Sequence, residues 1–113
     1  MDALEIFMTD FKHIIERSMA IRAKYHALED KHHGSRWTVE EDALAFLTDA
    51  GLVGRLTMAH EGRWTKSDSD VDSELAHKLA ENIWWQIVLA ERMGIDIHGE
   101  MEAFLANLER RLS

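Results

Sequence analysis

Cysteine and proline are both absent from the 113 residues, and glycine occurs only 6 times. Without cysteine there are no disulfides, no cysteine-ligated zinc sites and no thiol nucleophiles. A single small domain spanning residues 1–113 is expected, held by helix packing or by oligomerisation, in the cytoplasm. Basic charge is also scarce. Lys+Arg number 13 against 21 Asp+Glu, giving a net charge of −8 and a pI near 5.3. Such a chain repels a phosphate backbone, so no nucleic-acid partner is expected. Long hydrophobic runs are missing too: IWW at 83–85 and IVLA after Gln86 fall far short of the ~20 residues of a membrane span. The opening MDALEIFMTDFK mixes acids into its apolar residues, unlike a secretory signal, and no membrane partner is expected.

Hydrophobic residues nevertheless make up 46% of the chain, enough for a core. Their spacing is helical. Leu4, Met8, Phe11, Ile15, Met19, Tyr25 and Leu28 recur at helical intervals, with a gap near Arg22, until His32, His33 and Gly34 stop the pattern. Thr38 followed by Glu41 forms a capping box for a second helix running through Leu44, Leu47, Gly51, Leu52 and Leu56 to about Glu61. Gly51 and Gly54 inside it cost ~1 kcal/mol each relative to alanine, which predicts a close helix crossing there. After a polar loop, Asp70 or Asp72 caps a third helix with Leu75, Leu79, Ile83, Trp84, Ile87, Val88, Leu89, Ala90 and Met93. That apolar surface is broader than one stripe, so a subunit contact is expected. Gly94 is the expected left-handed stop, Asp96 the next cap, and Ile97, Met101, Phe104, Leu105, Leu108 and Leu112 trace a fourth helix. No alternation marks a strand, and the fold class is all-α, a four-helix-type bundle.

Isolated chemistry is thin. The 7 histidines are scattered, and His60-Glu61 lacks the second histidine of a zinc-protease helix, so they are expected to be solvated or capping. No glycine-rich phosphate loop or nucleophile elbow is present. Trp84 and Trp85 are expected as core or interface anchors, and Trp37 and Trp64 flank the second helix. Glu40, Asp42, Glu100, Glu102 and Glu109 are expected on solvated faces.

The stretch LAENIWWQIVLAERMGID at 79–96, with an acid near its start, an aromatic run, Leu-Ala and then Gly-Ile-Asp, resembles the third-helix signature of the MazG-like all-α nucleoside triphosphate pyrophosphohydrolases. AFLTDAGLV at 45–53 is similar to that family's apolar lead-in to Glu-Glu-x-Gly-Glu-Leu. The resemblance covers about two-thirds of the chain. It implies a Mg²⁺ (or Mn²⁺) site built from Glu-x-x-Glu on the second helix and Glu-x-x-Asp on the third, while the broad third helix is expected at the centre of a homodimer or homotetramer. Asp49 and Glu81 occupy two of those four positions as the candidate metal ligands, whereas Leu52 and Lys78 replace the other two. Of the family's three phosphate-binding positions on the last helix, here Phe104, Leu108 and Arg111, only Arg111 retains a suitable side chain.

Two carboxylates do not supply the ligand field of four, and an ammonium among them repels a divalent cation. The changes therefore predict that Lys78 replaces the metal, pairing with Asp49 and Glu81 across antiparallel helices while Leu52 fills the vacated space. Asp42 and Glu74 share faces with Asp49 and Glu81, but each lies seven residues away, or ~10 Å along its helix. The expected function is a catalytically degenerate, metal-free scaffold that binds a nucleotide or a protein without hydrolysing it. The alternative is an active Mg²⁺-dependent enzyme that cleaves a nucleoside triphosphate to the monophosphate and pyrophosphate.

Overall fold

The computed structural model describes residues 10–64 and 70–113, and those residues are all-α: four helices and no strand. They are α1 (Phe11–His33), α2 (Val39–His60), α3 (Val71–Arg92) and α4 (Ile97–Leu112). Leu4, Met8 and the loop residues 65–69 lie outside the described residues. No described helix is long and apolar enough to cross a membrane.

Local chemistry sets the helix limits. Asp10 caps α1 by accepting from the His13 amide at 2.8 Å, and Gly34 ends it at φ 71°, where a side chain would be strained. The Thr38 box closes in both directions, with the Glu41 amide donating to Thr38 Oγ1 at 3.1 Å and the Thr38 amide to Glu41 Oε1 at 2.9 Å. Asp70, rather than Asp72, caps α3 through the Ser73 amide at 3.1 Å. Gly94 turns the chain at φ 73°, and Asp96 caps α4 through the Gly99 amide at 3.0 Å.

The chain forms two compact units. Among the described residues, one comprises 10–36 and 90–113, the other 37–64 and 70–89. In the second, α2 and α3 run antiparallel: His60 at the end of α2 lies 3.6 Å from Asp72 at the start of α3, while Asp49 further back meets Lys78 and Trp85 further on. Leu56, Ile87 and Val88 are its buried apolar residues, and the polar Asp42 and Asn82 are buried as well. Full burial of Asp42 corrects its expected place on a solvated face. In the first unit α1 buries Ser18 and Arg22, and Arg22 is paired with Glu29 at 2.9 Å. Tyr25 and Leu28, expected in the apolar stripe of α1, are about half exposed. No residue of α4 is buried.

Among the described residues of the 37–89 unit, no helix crosses α2 closely at Gly51 or Gly54, where the sequence predicts one. A Cβ added at either glycine would meet nothing within 4 Å.

Candidate functional site

Between α2 and α3, one lysine ties three positions together. Asp49 faces α3 because it falls on the α2 stripe that also carries the buried Asp42 and Leu56, seven residues to either side. Lys78, Glu81, Asn82 and Trp85 follow at steps of three, one and three on α3, which places them on the facing side of that helix. Lys78 Nζ donates to Glu81 Oε1 at 2.8 Å and to Asp49 Oδ1 at 3.1 Å. The other Asp49 oxygen, Oδ2, accepts from the Trp85 indole nitrogen at 3.0 Å. Asn82, itself buried, donates to the Lys78 carbonyl at 2.7 Å, and His77 Nε2 lies 3.8 Å from Glu81 Oε2.

The electrostatics follow this geometry. Burial pushes the Asp49 carboxyl up, but hydrogen bonding to Glu81, Lys78 and Trp85, with the lysine charge, outweighs it and holds the group below its ordinary value. Hydrogen bonds to Glu81 and Asp49 raise Lys78 above its ordinary value against the opposing effect of burial. The lysine is therefore a fixed cation. Its side chain is 25% exposed, with Asp49 at 14% and Glu81 at 28%, so water screens the cluster only in part.

This donor set does not fit a divalent metal. Both oxygens of Asp49 are engaged, one by the ammonium, and the ammonium also holds the nearer oxygen of Glu81. Magnesium takes near-octahedral oxygen coordination at about 2.0–2.1 Å, and a positive charge seated between the two carboxylates opposes it. Among the described residues no group of three or more His, Asp or Glu side chains is placed to hold a metal ion.

Other candidates from the sequence are dispersed. Leu52, one turn beyond Asp49 on α2, is 39% exposed. Arg111 is exposed in the last turn of α4, in the other compact unit. Trp84 and Trp85 stack edge to face, with centroids 4.8 Å apart, and both are half-buried. Trp64 is covered on one face by the Arg55 guanidinium, 4.6 Å from the ring centroid, and Trp37 is exposed. Three of the seven histidines, His60, His77 and His98, lie near acids. His60 is 3.3 Å from Glu61, and His98 is 3.7 Å from Glu102.

Sequence reasoning missed Trp85 as a ligand of Asp49. The signal was present, since Trp85 lies seven residues after Lys78 and four after Glu81, on one face of α3, with an indole N–H that seeks an acceptor when buried. The chain matches no known family model, no characterised protein and no solved structure.

Proposed function

We propose that this chain is a MazG-like helical scaffold whose metal site has become an internal salt bridge, and which binds a nucleotide or a protein partner without hydrolysing it. One observation carries the reading: the Lys78 ammonium sits 2.8 Å from Glu81 and 3.1 Å from Asp49, the two positions where the resemblance puts metal ligands. An ammonium there neutralises the carboxylates that would otherwise recruit a cation, and the Trp85 hydrogen bond uses the remaining oxygen of Asp49. In this reading the site holds α2 against α3, and the ligand-binding role falls to other surfaces. Self-association as a homodimer or homotetramer belongs to the same proposal. It is supported by eighteen exposed large hydrophobic residues against four buried hydrophobic ones among the described residues.

Thermal melts with and without Mg²⁺ or Mn²⁺, alone and with a panel of nucleoside triphosphates, test the proposal, because any ligand of the native state raises apparent stability. The expected result is no metal-dependent shift. A metal-dependent rise, larger with one nucleotide, overturns the reading in favour of an active pyrophosphohydrolase. The double variant Leu52→Glu, Lys78→Glu checks the residue assignment. It restores four acids at the aligned positions, and calorimetry is expected to find Mg²⁺ binding that the parent lacks. If the double variant binds no more metal than the parent, the alignment of these four positions is wrong.

A further inference from the structure

The inward stripe of α1 changes character along its length. Phe11 and Ile15 are half-buried, and then Ser18, Arg22, His26 and Glu29 follow at steps of four, four and three. Ser18 and Arg22 are buried, His26 and Glu29 half-buried. The C-terminal half of α1 is therefore seated through polar groups. Arg22 Nη1 donates to Glu29 Oε2 at 2.9 Å, with the two side chains only 3% and 16% exposed. His26 lies between them on the same stripe, and its Nε2 atom is buried without a hydrogen-bond partner. An imidazole with its proton on Nδ1 tolerates this, since Nε2 is then a bare acceptor lone pair. Protonation turns it into a charged donor with nothing to receive it.

The charges acting on the ring make that worse. They are Arg22 and Glu29 on α1, Arg36 in the connection after it and Arg92 at the end of α3, three positive against one negative, and Arg22 already holds the Glu29 carboxylate. The other described histidines stand differently. His98 lies 3.7 Å from Glu102, His60 lies 3.3 Å from Glu61 and 3.6 Å from Asp72, and His77 lies 3.8 Å from Glu81, so a proton on any of these gains a carboxylate partner. His13 is exposed, and His32 and His33 are exposed in the last turn of α1, where the helix dipole favours positive charge. We propose that His26 is an acid-sensitive latch: in mild acid its protonation loosens the C-terminal half of α1 within its own compact unit, while the α2–α3 unit stays closed. The sign follows from linkage. Burial and the arginines hold His26 below its ordinary value of 6.5, so the opened helix binds the proton first and the closed form loses ground as pH falls through that value. In the α2–α3 unit Asp49 is held below its ordinary value and Lys78 above, and neither changes charge between pH 7 and pH 5.

Hydrogen exchange of the full chain at pH 7 and pH 5, with each amide corrected for the intrinsic pH dependence of its rate, tests the latch. Peptides from 18–33 are expected to lose about tenfold in protection at pH 5, and peptides from 39–60 and 71–89 to hold within about twofold. Equal losses in both units, or none in α1, overturn the proposal. In His26→Gln, which keeps a polar side chain that takes up no proton, the extra loss in α1 is expected to vanish. A loss as large as that of the wild type also overturns it. Proton NMR titration reads the same group without any substitution: the His26 ring is expected to be neutral at pH 6, and a ring already mostly protonated there rules the latch out.

Discussion

Lys78 shows how a single residue decides what a cluster of acids does. Two carboxylates on facing helices repel one another, and they attract whatever cation fits between them. A lysine one turn before Glu81 supplies that cation from within the chain. Lys78→Met removes the ammonium but leaves Asp49 and Glu81 in place. The loss expected in urea unfolding at pH 7 is about 1–2 kcal/mol, less than for a fully buried pair because the cluster is partly wet. Its pH dependence has a definite sign. Asp49 is lowered from 3.8 in the folded chain, so its contribution is present above that value and is lost as pH falls below it. Lys78 is raised from 10.5, so its contribution is present below that value and is lost as pH rises through the higher folded value. The gap between wild type and Lys78→Met is therefore widest between these limits and narrows beyond either. His26 behaves in the opposite sense to a stabilising pair. Burial first, then the charges of Arg22, Arg92 and Arg36 against the opposing pull of Glu29, lower it from 6.5, and its Nε2 atom is buried without a hydrogen-bond partner. The unfolded chain takes up that proton first, so stability falls as pH drops through 6.5. His26→Gln is expected to lose less stability between pH 7 and pH 5 than the wild type, measured by denaturant midpoint.

Among the elements, α2 carries the most information. Its start is set by a reciprocal cap, and Thr38→Ala is expected to lower the unfolding free energy by about 1 kcal/mol, read from denaturant titration at constant m. Its two faces have different tasks. The inner one supplies Asp42, Asp49 and Leu56, and the outer one supplies leucines and open glycines. The unexplained cost of Gly51 and Gly54 in a helix interior was legible in the sequence. What the sequence could not say was whether α3 supplies the close approach that offsets it, and within the 37–89 unit it does not. α3 was likewise readable in outline but not in detail. Its broad apolar surface divides into buried Ile87, Val88 and Ala90, half-buried Trp84 and Trp85, and exposed Leu79 and Ile83.

For the molecule as a whole, the balance of buried and exposed apolar surface is the governing fact. α4 buries no residue, and Phe104, Leu105 and Leu112 on it are all exposed, as are Ile14, Ile21, Tyr25 and Leu28 on α1. Burial of apolar area is the main favourable term in folding, so the proposed self-association has exposed apolar side chains to cover. The midpoint of thermal unfolding is accordingly expected to rise with protein concentration, as it does whenever the native state is coupled to assembly. Scanning calorimetry over a hundredfold range of concentration checks this, and a midpoint independent of concentration would contradict it.

By itself the sequence determined the class of fold and nearly every helix limit. Caps and stops are local chemistry: Thr38 with Glu41, Gly34, Gly94 and Asp96 each act across a few residues, so their partners are visible in the string. The position of Asp49 opposite Lys78 was approachable only through the resemblance together with an assumed antiparallel pairing. The contacts that decide the site span 29 residues for Lys78 to Asp49 and 36 for Trp85 to Asp49, and no local rule joins them. Tertiary structure alone decided that Arg22, Asp42 and Asn82 are buried. Each depends on which helix faces meet, and that is set by the summed packing of the chain rather than by any one residue's preference.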